Sequence, residues 1–235
     1  MLSIIHSMAL HGLDGYLVSV QVDVASGMPC FEIVGLPDIS VRESRERVKT
    51  AIKNSGVEFF SRRVIVNLAP ADTKKEGSFL DLPIAVGILI AMEAIPRKIA
   101  EEKLKNTVIL GELSLDGKIN KINGVLPICI EAARLGMKKI ILPKENAKEA
   151  SIVKNIEVLP VESLRQVIHF LNGTQELIKE ENKDMPLQLV SQYNIDFSEV
   201  KGQENAKRAL EIVRDSGLAN QSFVTTFAKE TQISV

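Results

Sequence analysis

The feature that most constrains the fold is the alternation in residues 15–24, GYLVSVQVDV. Apolar side chains at every second position have the period of a β-strand that buries one face. The side chains that share the predicted buried face are Val18, Val20, Val22 and Val24. This segment predicts a sheet with one face against an apolar core.

The rest of the chain alternates between strand and helix patterns. Ser26 and Gly27 predict a turn, which makes residues 30–34 the hairpin partner of the first strand. Ser40 and Glu43 have the spacing of a capping box, which predicts a helix that ends at Gly56. Further strands are predicted at 63–68, 107–115, 118–122, 139–142 and 156–159, and further helices at 79–92, 124–135, 146–152 and 161–171. This order predicts an α+β or α/β sandwich of about 170 residues.

The composition changes after residue 173. We predict a body at 1–173 and a polar, acidic linker at 174–195. A new segment begins at 196 and extends to 214, and residues 215–235 form a tail of different character. The roughly 40 residues after the linker are too few for an independent core.

Charge and cysteine content exclude several classes of protein. With 29 basic and 30 acidic residues the net charge is -1, which argues against a chain that coats nucleic acid but allows a local basic face. No apolar run is long enough for a transmembrane helix, and no signal peptide is predicted. Cys30 and Cys129 are too few for a disulfide framework, and they favour a cytoplasmic protein. His6, His11 and His169 are isolated, so no metal site is expected.

One basic surface is predicted on the helix after Ser40. Residues 42–63 carry seven basic and three acidic side chains, and Arg62 and Arg63 lie at the end of that range. A stripe on one helix face, here called the basic stripe, is formed by Arg42, Arg45, Lys49 and Lys53. Such a stripe can neutralise phosphates, so DNA is a candidate partner. The alternative is a solvated helix face, because Glu43 and Glu46 dilute the positive charge.

Two stretches carry a family resemblance. KEGSFLDLPIA at 75–85 and LGELSLDGKIN at 110–120, continuing to 146, resemble the proteolytic domain of Lon proteases and the C-terminal domain of RadA proteins. The segments from HGLDGYLVSVQVDV to AIKNSG and from VNLAPADTKKEG to AVGIL resemble the magnesium-chelatase-like AAA+ family that includes YifB and ComM. The resemblance covers about residues 3–214. It implies an α+β fold of the ribosomal protein S5 domain 2-like type and, for the intact family, an ATP- and Mg-dependent ring that remodels branched DNA.

The Lon resemblance also makes a chemical test possible. A Lon site needs a serine nucleophile that a lysine amine activates. In this chain the two positions that match the Lon dyad hold Phe79 and Leu126, neither of which can act as nucleophile or base. A divergent peptidase that uses Ser78 with Lys75 or Lys121 remains an alternative.

The last segment resembles the entry helix of AAA+ modules, which lies beside the adenine of a bound nucleotide. The residues that match its nucleotide-adjacent part are Val200, Gly202 and Gln203. The chain departs from the family after Val213 and contains no G-x-x-x-x-G-K-[ST] loop. We therefore expect no cofactor on this chain. Truncation or a frameshift is one explanation, and a natural stand-alone domain with a tail is the other.

These observations predict a non-catalytic N-terminal domain of a ComM/YifB-type protein that contacts DNA weakly and without sequence preference. A homo-oligomer is possible, since the resemblance implies rings. A serine–lysine peptidase and a pure interaction module that docks AAA+ subunits are the alternative functions.

Overall fold

The computed structural model describes residues 1–12, 14–59, 62–75, 77–181 and 208. Met1–Lys183 form one unit, and the second unit, Asp184–Val235, lies outside the described residues apart from Arg208. The predicted segments 196–214 and 215–235 and most of the linker therefore lie outside them too.

A four-stranded sheet forms the first half of the body. Its strands are β1 (Leu2–His11), β2 (Asp14–Ala25), β3 (Cys30–Val34) and β4 (Arg63–Ala69), in the order β1-β2-β4-β3. The β1–β2 and β2–β4 pairs are antiparallel, and the β3–β4 pair is parallel. The alternation of β2 is confirmed, because its four predicted valines are buried.

Two predictions about this sheet were wrong or incomplete. β3 is not the hairpin partner of β2, because it pairs in parallel with β4, with Cys30 opposite Arg63. A helix crosses between β3 and β4, as a parallel pair requires. β1 was not predicted, because its polar residues Ser3 and Ser7 are buried and Met8 and Ala9 are both buried, so the strand lacks alternation.

Three helices accompany this sheet: α1 (Ile39–Asn54) lies between β3 and β4 in the chain, and α2 (Asp81–Ala91) and α3 (Arg97–Lys103) follow β4. The predicted capping box at Ser40 is wrong, since the Asp38 side chain accepts the hydrogen bond from the Val41 N–H at 2.7 Å. A 3₁₀ turn at Ser78–Leu80 leads into α2, all of whose residues are buried. α2 packs on β1 and β2 so closely that a Cβ on Gly87 would lie 2.6 Å from a Val22 methyl. α3 was not predicted.

The second half of the body contains a parallel sheet and a short hairpin. The elements are β5 (Thr107–Ile109), β6 (Glu112–Leu113), β7 (Ile119–Asn120), α4 (Val125–Arg134), β8 (Lys139–Pro143), α5 (Ala147–Ala150), β9 (Glu157–Val161) and α6 (Leu164–Leu171). The sheet order is β5-β8-β9, and β6 pairs with β7. The predicted strand 107–115 is therefore two strands in different sheets. The fold is mixed α and β with both parallel and antiparallel pairs, as predicted.

Residues 174–181, which the sequence assigns to the linker, contact the body. Glu176 forms an ion pair with Lys103 at 2.6 Å, and the Glu180 N–H donates to the Val158 carbonyl at 2.9 Å. Leu177 packs against the apolar core. In the part of the chain that the structure describes, none of the helices has the length and apolar character needed to cross a membrane.

Candidate functional site

The basic stripe lies on the exposed surface of α1. The side chains of Arg42, Arg45, Lys49 and Lys53 are all exposed. The buried face of the helix consists of Val41, Ser44, Val48, Ala51 and Ile52. With 3.6 residues per turn, the centre of the stripe lies about 110° around the helix from the centre of the buried face. The stripe therefore flanks the buried face rather than opposing it.

The two acidic residues among these cations occupy different places. Glu46 accepts a hydrogen bond from Arg45 Nε at 3.1 Å, so it reduces the positive charge at one point of the stripe. Glu43 lies 3.9 Å from Arg47, on another side of the helix. Among the described residues, Arg42, Lys49 and Lys53 have no carboxylate partner. Three of the four cations are therefore available to an anionic ligand.

Arg62 and Arg63 belong to a different element. Both are exposed where the chain enters β4, and Arg63 stands opposite Ala25 and Cys30 in the sheet. They lie beyond the end of α1 and do not extend the stripe along the helix.

Beneath α1 lies a buried ionic network that the sequence analysis missed. Asp81, at the start of α2, is fully buried and accepts hydrogen bonds from Arg47 Nε at 2.7 Å and from the Ser44 hydroxyl. The Leu113 N–H also donates to Asp81, at 3.2 Å. Burial raises the pKa of the Asp81 carboxyl, against the opposing effect of Arg47. The hydrogen bond that Arg47 donates to Asp81 raises the pKa of the Arg47 guanidinium.

This network fixes α1 against α2 and β6. The signal in the sequence was a single carboxylate within the apolar run SFLDLPIA, but nothing there identifies Arg47, 34 positions earlier, as its partner. Because a buried carboxylate needs a compensating charge and hydrogen bonds, Arg47 serves the fold and is not part of the exposed stripe.

The positions that match the Lon dyad are apolar and partly buried. Phe79 packs against two apolar clusters, one that includes α2 and one that includes α4 and β8. Leu126 lies in the first turn of α4. The neighbouring Ser78 hydroxyl donates to the Glu112 carboxylate. Glu112 also accepts a hydrogen bond from the Asn120 amide at 3.1 Å. The Ser78 hydroxyl is therefore bound to a carboxylate.

The two lysines of the alternative peptidase site lie in different environments. Lys75 is fully buried, and its Nζ donates to the Thr73 carbonyl at 2.6 Å. Burial lowers the pKa of Lys75. Lys121 is exposed. Among the contacts that the structure describes, none joins the Ser78 hydroxyl to either amine.

The remaining predicted site residues are the three in the nucleotide-adjacent segment. Val200, Gly202 and Gln203 lie outside the described residues. Within the described part of the chain, no cluster of three or more His, Cys, Asp or Glu residues could hold a metal ion. Burial raises the pKa of the Cys129 thiol to about 12.

Comparison with known proteins identifies the family. The sequence model of the family described as Subunit ChlI of Mg-chelatase matches residues 20–146, more than half of the chain. The chain belongs to this family. The matched range runs from the middle of β2 to the end of the turn before α5, so it includes α1, α2 and the Asp81 network.

Several full-length relatives have similar sequences. The competence protein ComM of Haemophilus influenzae is 37% identical over 213 residues, which is 90% of this chain and 41% of ComM. The uncharacterized protein YifB of Escherichia coli is 37% identical over 217 residues, 92% of this chain and 41% of YifB. A Lon protease of Rhizobium meliloti is 25% identical over 201 residues, 80% of this chain and 24% of the protease. The chain thus spans about two fifths of the length of ComM and YifB.

Proposed function

We propose that this chain is a non-catalytic N-terminal domain of a ComM/YifB-type AAA+ protein and that it contacts DNA through the basic stripe. We propose that the domain has the fold of ribosomal protein S5 domain 2, because the chain resembles the Lon proteolytic domain. The observation that supports DNA contact is the exposure of all four stripe side chains on one helix face. The H. influenzae relative is named a competence protein, and remodelling of branched DNA is the process in which we place this domain.

The stripe suits phosphates better than bases. One helix face with four cations and no amide or aromatic side chains between them carries no code for base edges. Phosphate contacts alone give weak binding that does not depend on sequence and falls steeply with salt. Because three stripe cations have no carboxylate partner among the described residues, releasing an internal ion pair adds a cost at Arg45 only.

The proposal assigns no catalysis to this chain. A serine nucleophile must lie within hydrogen-bond reach of its base, whereas the described contact of the Ser78 hydroxyl is with Glu112. No phosphate-binding loop occurs in the 235 residues, so ATP and Mg chemistry would belong to the AAA+ module of full-length relatives. We also propose that the chain forms a homo-oligomer. The support for this part is the resemblance to ring-forming proteins alone.

The test is DNA binding by the 235-residue chain, measured by fluorescence anisotropy with a labelled duplex. With about four phosphates neutralised, the logarithm of the binding constant should fall with the logarithm of salt concentration with a slope of about -3 to -4. Replacing Arg42, Arg45, Lys49 and Lys53 by Glu should abolish binding. A matched control replaces four exposed lysines elsewhere, Lys98, Lys138, Lys148 and Lys154, by Glu and should retain most of the affinity.

Two results would favour the alternatives. If the parent does not bind DNA at about 50 mM salt, where phosphate contacts are much stronger than at about 200 mM, the stripe is a solvated face and the interaction module gains support. If the parent cleaves a fluorogenic peptide and Ser78→Ala does not, the peptidase function is correct.

A further inference from the structure

The first strand of the body has an open edge. β1 lies at one end of the four-stranded sheet, where it pairs with β2. The Ser7 hydroxyl donates to the Ile109 carbonyl at 2.8 Å, so β5 lies beside the later part of β1. Residues 2–6 have no strand on their outer side among the described residues, and Leu2 and Ile4 are 50% and 54% exposed. An edge of this kind is a template for a further strand.

The hydrogen bonds of β1 to β2 show which of its backbone groups face outward. The Val24 N–H donates to the Met1 carbonyl at 3.2 Å, and the Met1 amine donates to the Val24 carbonyl. In an antiparallel pair, residues that exchange two such bonds alternate with residues that exchange none. Because the register is continuous, Leu2, Ile4 and His6 belong to the second kind. Their N–H and C=O groups therefore point away from β2, towards the open edge.

The opposite edge of the same sheet is protected, whereas the β1 edge is not. β3 is five residues long, is flanked by Pro29 and Pro37, and carries the exposed Glu32. Short strands, prolines and charges are devices by which proteins prevent pairing at an edge. β1 is ten residues long, and residues 2–6 contain no proline, lysine, arginine, aspartate or glutamate. Of the two edges, β1 is therefore the one that can accept a strand.

A groove, here called the edge groove, runs beside this part of β1. It is lined by residues 3–6, by Ile90 near the end of α2, by Arg97 and Glu101 of α3, and by residues 104–106. Its cavity has a volume of about 260 Å³. Addition of a strand to an exposed edge, with pockets for alternate side chains, is a recurring mode of peptide recognition. The edge groove offers both parts of this mode.

The charges of the edge groove favour an acidic ligand. Arg97 Nε donates to Glu101 at 2.6 Å, so these two charges compensate each other. Lys105 is exposed and has no carboxylate partner among the described residues. His6 Nδ1 is buried and has no hydrogen-bond partner in the described part of the chain, although buried polar atoms are usually hydrogen-bonded. A peptide with carboxylates and backbone polar groups complements both residues.

The body already holds one acidic segment by contacts of the same kinds. Residues 174–181 contain three glutamates and one lysine. Glu176 forms an ion pair with Lys103 of α3, and the Glu180 N–H donates to the Val158 carbonyl of the edge strand β9. Helix α3 therefore takes part in holding one acidic segment and also lines the edge groove.

We propose that the edge groove binds an extended acidic peptide of a partner protein by strand addition. The peptide backbone pairs with the outward N–H and C=O groups of Leu2, Ile4 and His6, and one of its carboxylates pairs with Lys105. This interaction goes beyond the proposed DNA contact and does not depend on it, because α1 does not line the groove. A second copy of this chain is the competing occupant. Its β1 edge fits less well, because residues 2–6 carry no acidic side chain for Lys105.

The test measures the binding of labelled peptides to the 235-residue chain by fluorescence anisotropy. The salt concentration is about 50 mM, which keeps screening below its physiological level. The main probe alternates valine and glutamate and is capped at both ends. A second peptide alternates proline and glutamate, so it has the same charge but lacks an N–H at every proline, and a third alternates valine and lysine. The valine–glutamate peptide should bind at least about tenfold more tightly than either of the others, since each lacks one part of the proposed contact.

Variants of the chain locate the site. Ile4→Pro removes one outward N–H without breaking a bond to β2 and should weaken binding about tenfold. Ile4→Ala is its matched control, because it removes the side chain and keeps the N–H, and it should bind within about threefold of the parent. Lys105→Glu should weaken binding about fivefold. Lys98→Glu, at an exposed position of α3 outside the groove, is the control for it and should not weaken binding.

Each outcome has a defined meaning. Binding of the valine–glutamate peptide that Ile4→Pro and Lys105→Glu weaken, with both controls close to the parent, supports the inference. If circular dichroism shows that Ile4→Pro does not fold, the comparison of Lys105→Glu with Lys98→Glu decides.

Three results would overturn the inference. The first is no binding by the parent, which leaves the proposed DNA contact unaffected. The second is equal binding of the valine–glutamate and proline–glutamate peptides, because charge alone then explains it. The third is a parent that does not bind the peptide and has a higher mass by light scattering than Ile4→Pro, because the edge is then a contact between copies of this chain.

Discussion

Arg45 and Arg47 lie two positions apart on α1, yet their surroundings differ. The Arg47 side chain is 24% exposed and donates to the buried Asp81 carboxylate, whereas the Arg45 side chain is 52% exposed and contacts only the exposed Glu46 among the described residues. An exposed ion pair contributes little to stability, whereas a buried pair is costly to break. One helix therefore carries a cation that holds the fold together, Arg47, and cations that stay at the surface, and burial is what distinguishes them.

The largest effect on stability is expected for substitutions of Asp81, the buried carboxylate that Arg47 contacts. Asp81→Ala should destabilise the chain by about 3–4 kcal/mol, because it leaves Arg47 without its buried partner and the Leu113 N–H without an acceptor. Asp81→Asn keeps one acceptor oxygen and should cost about 1–2 kcal/mol. Urea unfolding followed by circular dichroism measures both. A cost of about 0.5 kcal/mol for the alanine variant, the value for a surface position, would contradict the role assigned to the network.

A matched pair of arginine variants tests the comparison directly. Arg47→Met should cost about 2 kcal/mol, because it leaves a buried charge uncompensated. Arg45→Met should change the free energy of unfolding by less than about 0.5 kcal/mol.

The stability difference between Arg47→Met and the parent should change with pH in a defined direction, because Asp81 titrates. Burial raises the folded-state pKa of Asp81, and removing Arg47 should raise it further. Between the unfolded and folded pKa values the folded state binds more protons, so stability increases as the pH falls. The deficit of Arg47→Met relative to the parent should therefore shrink between about pH 7 and pH 4, the unfolded value of an aspartate. A deficit independent of pH would show that Asp81 is not the group left uncompensated.

A smaller effect is expected at Lys75, which is buried like Asp81 but has only a carbonyl acceptor in the described contacts. Its folded-state pKa is lowered by burial, so the unfolded state binds more protons and the parent should gain stability as the pH rises towards 10. Lys75→Met removes the buried charge and should stabilise the chain at pH 7 by up to about 1 kcal/mol. Its advantage over the parent should narrow at high pH, as urea unfolding at several pH values can show. Destabilisation at pH 7 would mean that the hydrogen bond to Thr73 outweighs the burial of the charge.

The smallest effect on stability is expected at the stripe. The fourfold change of Arg42, Arg45, Lys49 and Lys53 to Glu should lower the free energy of unfolding by less than about 1 kcal/mol, since repulsion between exposed helix positions is weak. Thermal unfolding checks this on the variant used for DNA binding. A larger loss would mean that the stripe, like Arg47, stabilises the fold, and any loss of DNA binding would then need a second explanation.

Local patterns predicted most of the individual elements, although β1 and α3 were missed. The alternation of β2, the strand at β4, the buried helix α2 and the amphipathic helix α4 follow from side-chain periodicity, which does not depend on distant residues. The exposed stripe was predicted for the same reason, since its positions follow from helix geometry. The capping box failed because Asp38, two residues before Ser40, competes for the same helix end and takes the bond to Val41.

Contacts between distant segments were not predictable in the same way. The parallel pairing of β3 with β4 depends on α1 crossing between them, and the turn at Ser26–Gly27 gave the wrong partner. The Asp81–Arg47 pair joins two helices, and the sequence pattern of either helix does not indicate which residue of the other helix it will contact. The Leu36 carbonyl accepts a hydrogen bond from the backbone N–H of Lys75, which lies 39 positions later in the chain.

The sequence by itself determined most of the strands and helices, with β1 and α3 as the exceptions, which side chains lie along one face of α1, and that the Lon dyad positions are apolar. Those properties depend on side-chain chemistry and on spacing along the chain. Only the tertiary structure decided which strands pair, which of the α1 cations meets a buried carboxylate, and which apolar side chains remain at the surface. Each of these is set by packing between segments that are far apart in the chain, because burial and its electrostatic cost exist only once those segments meet.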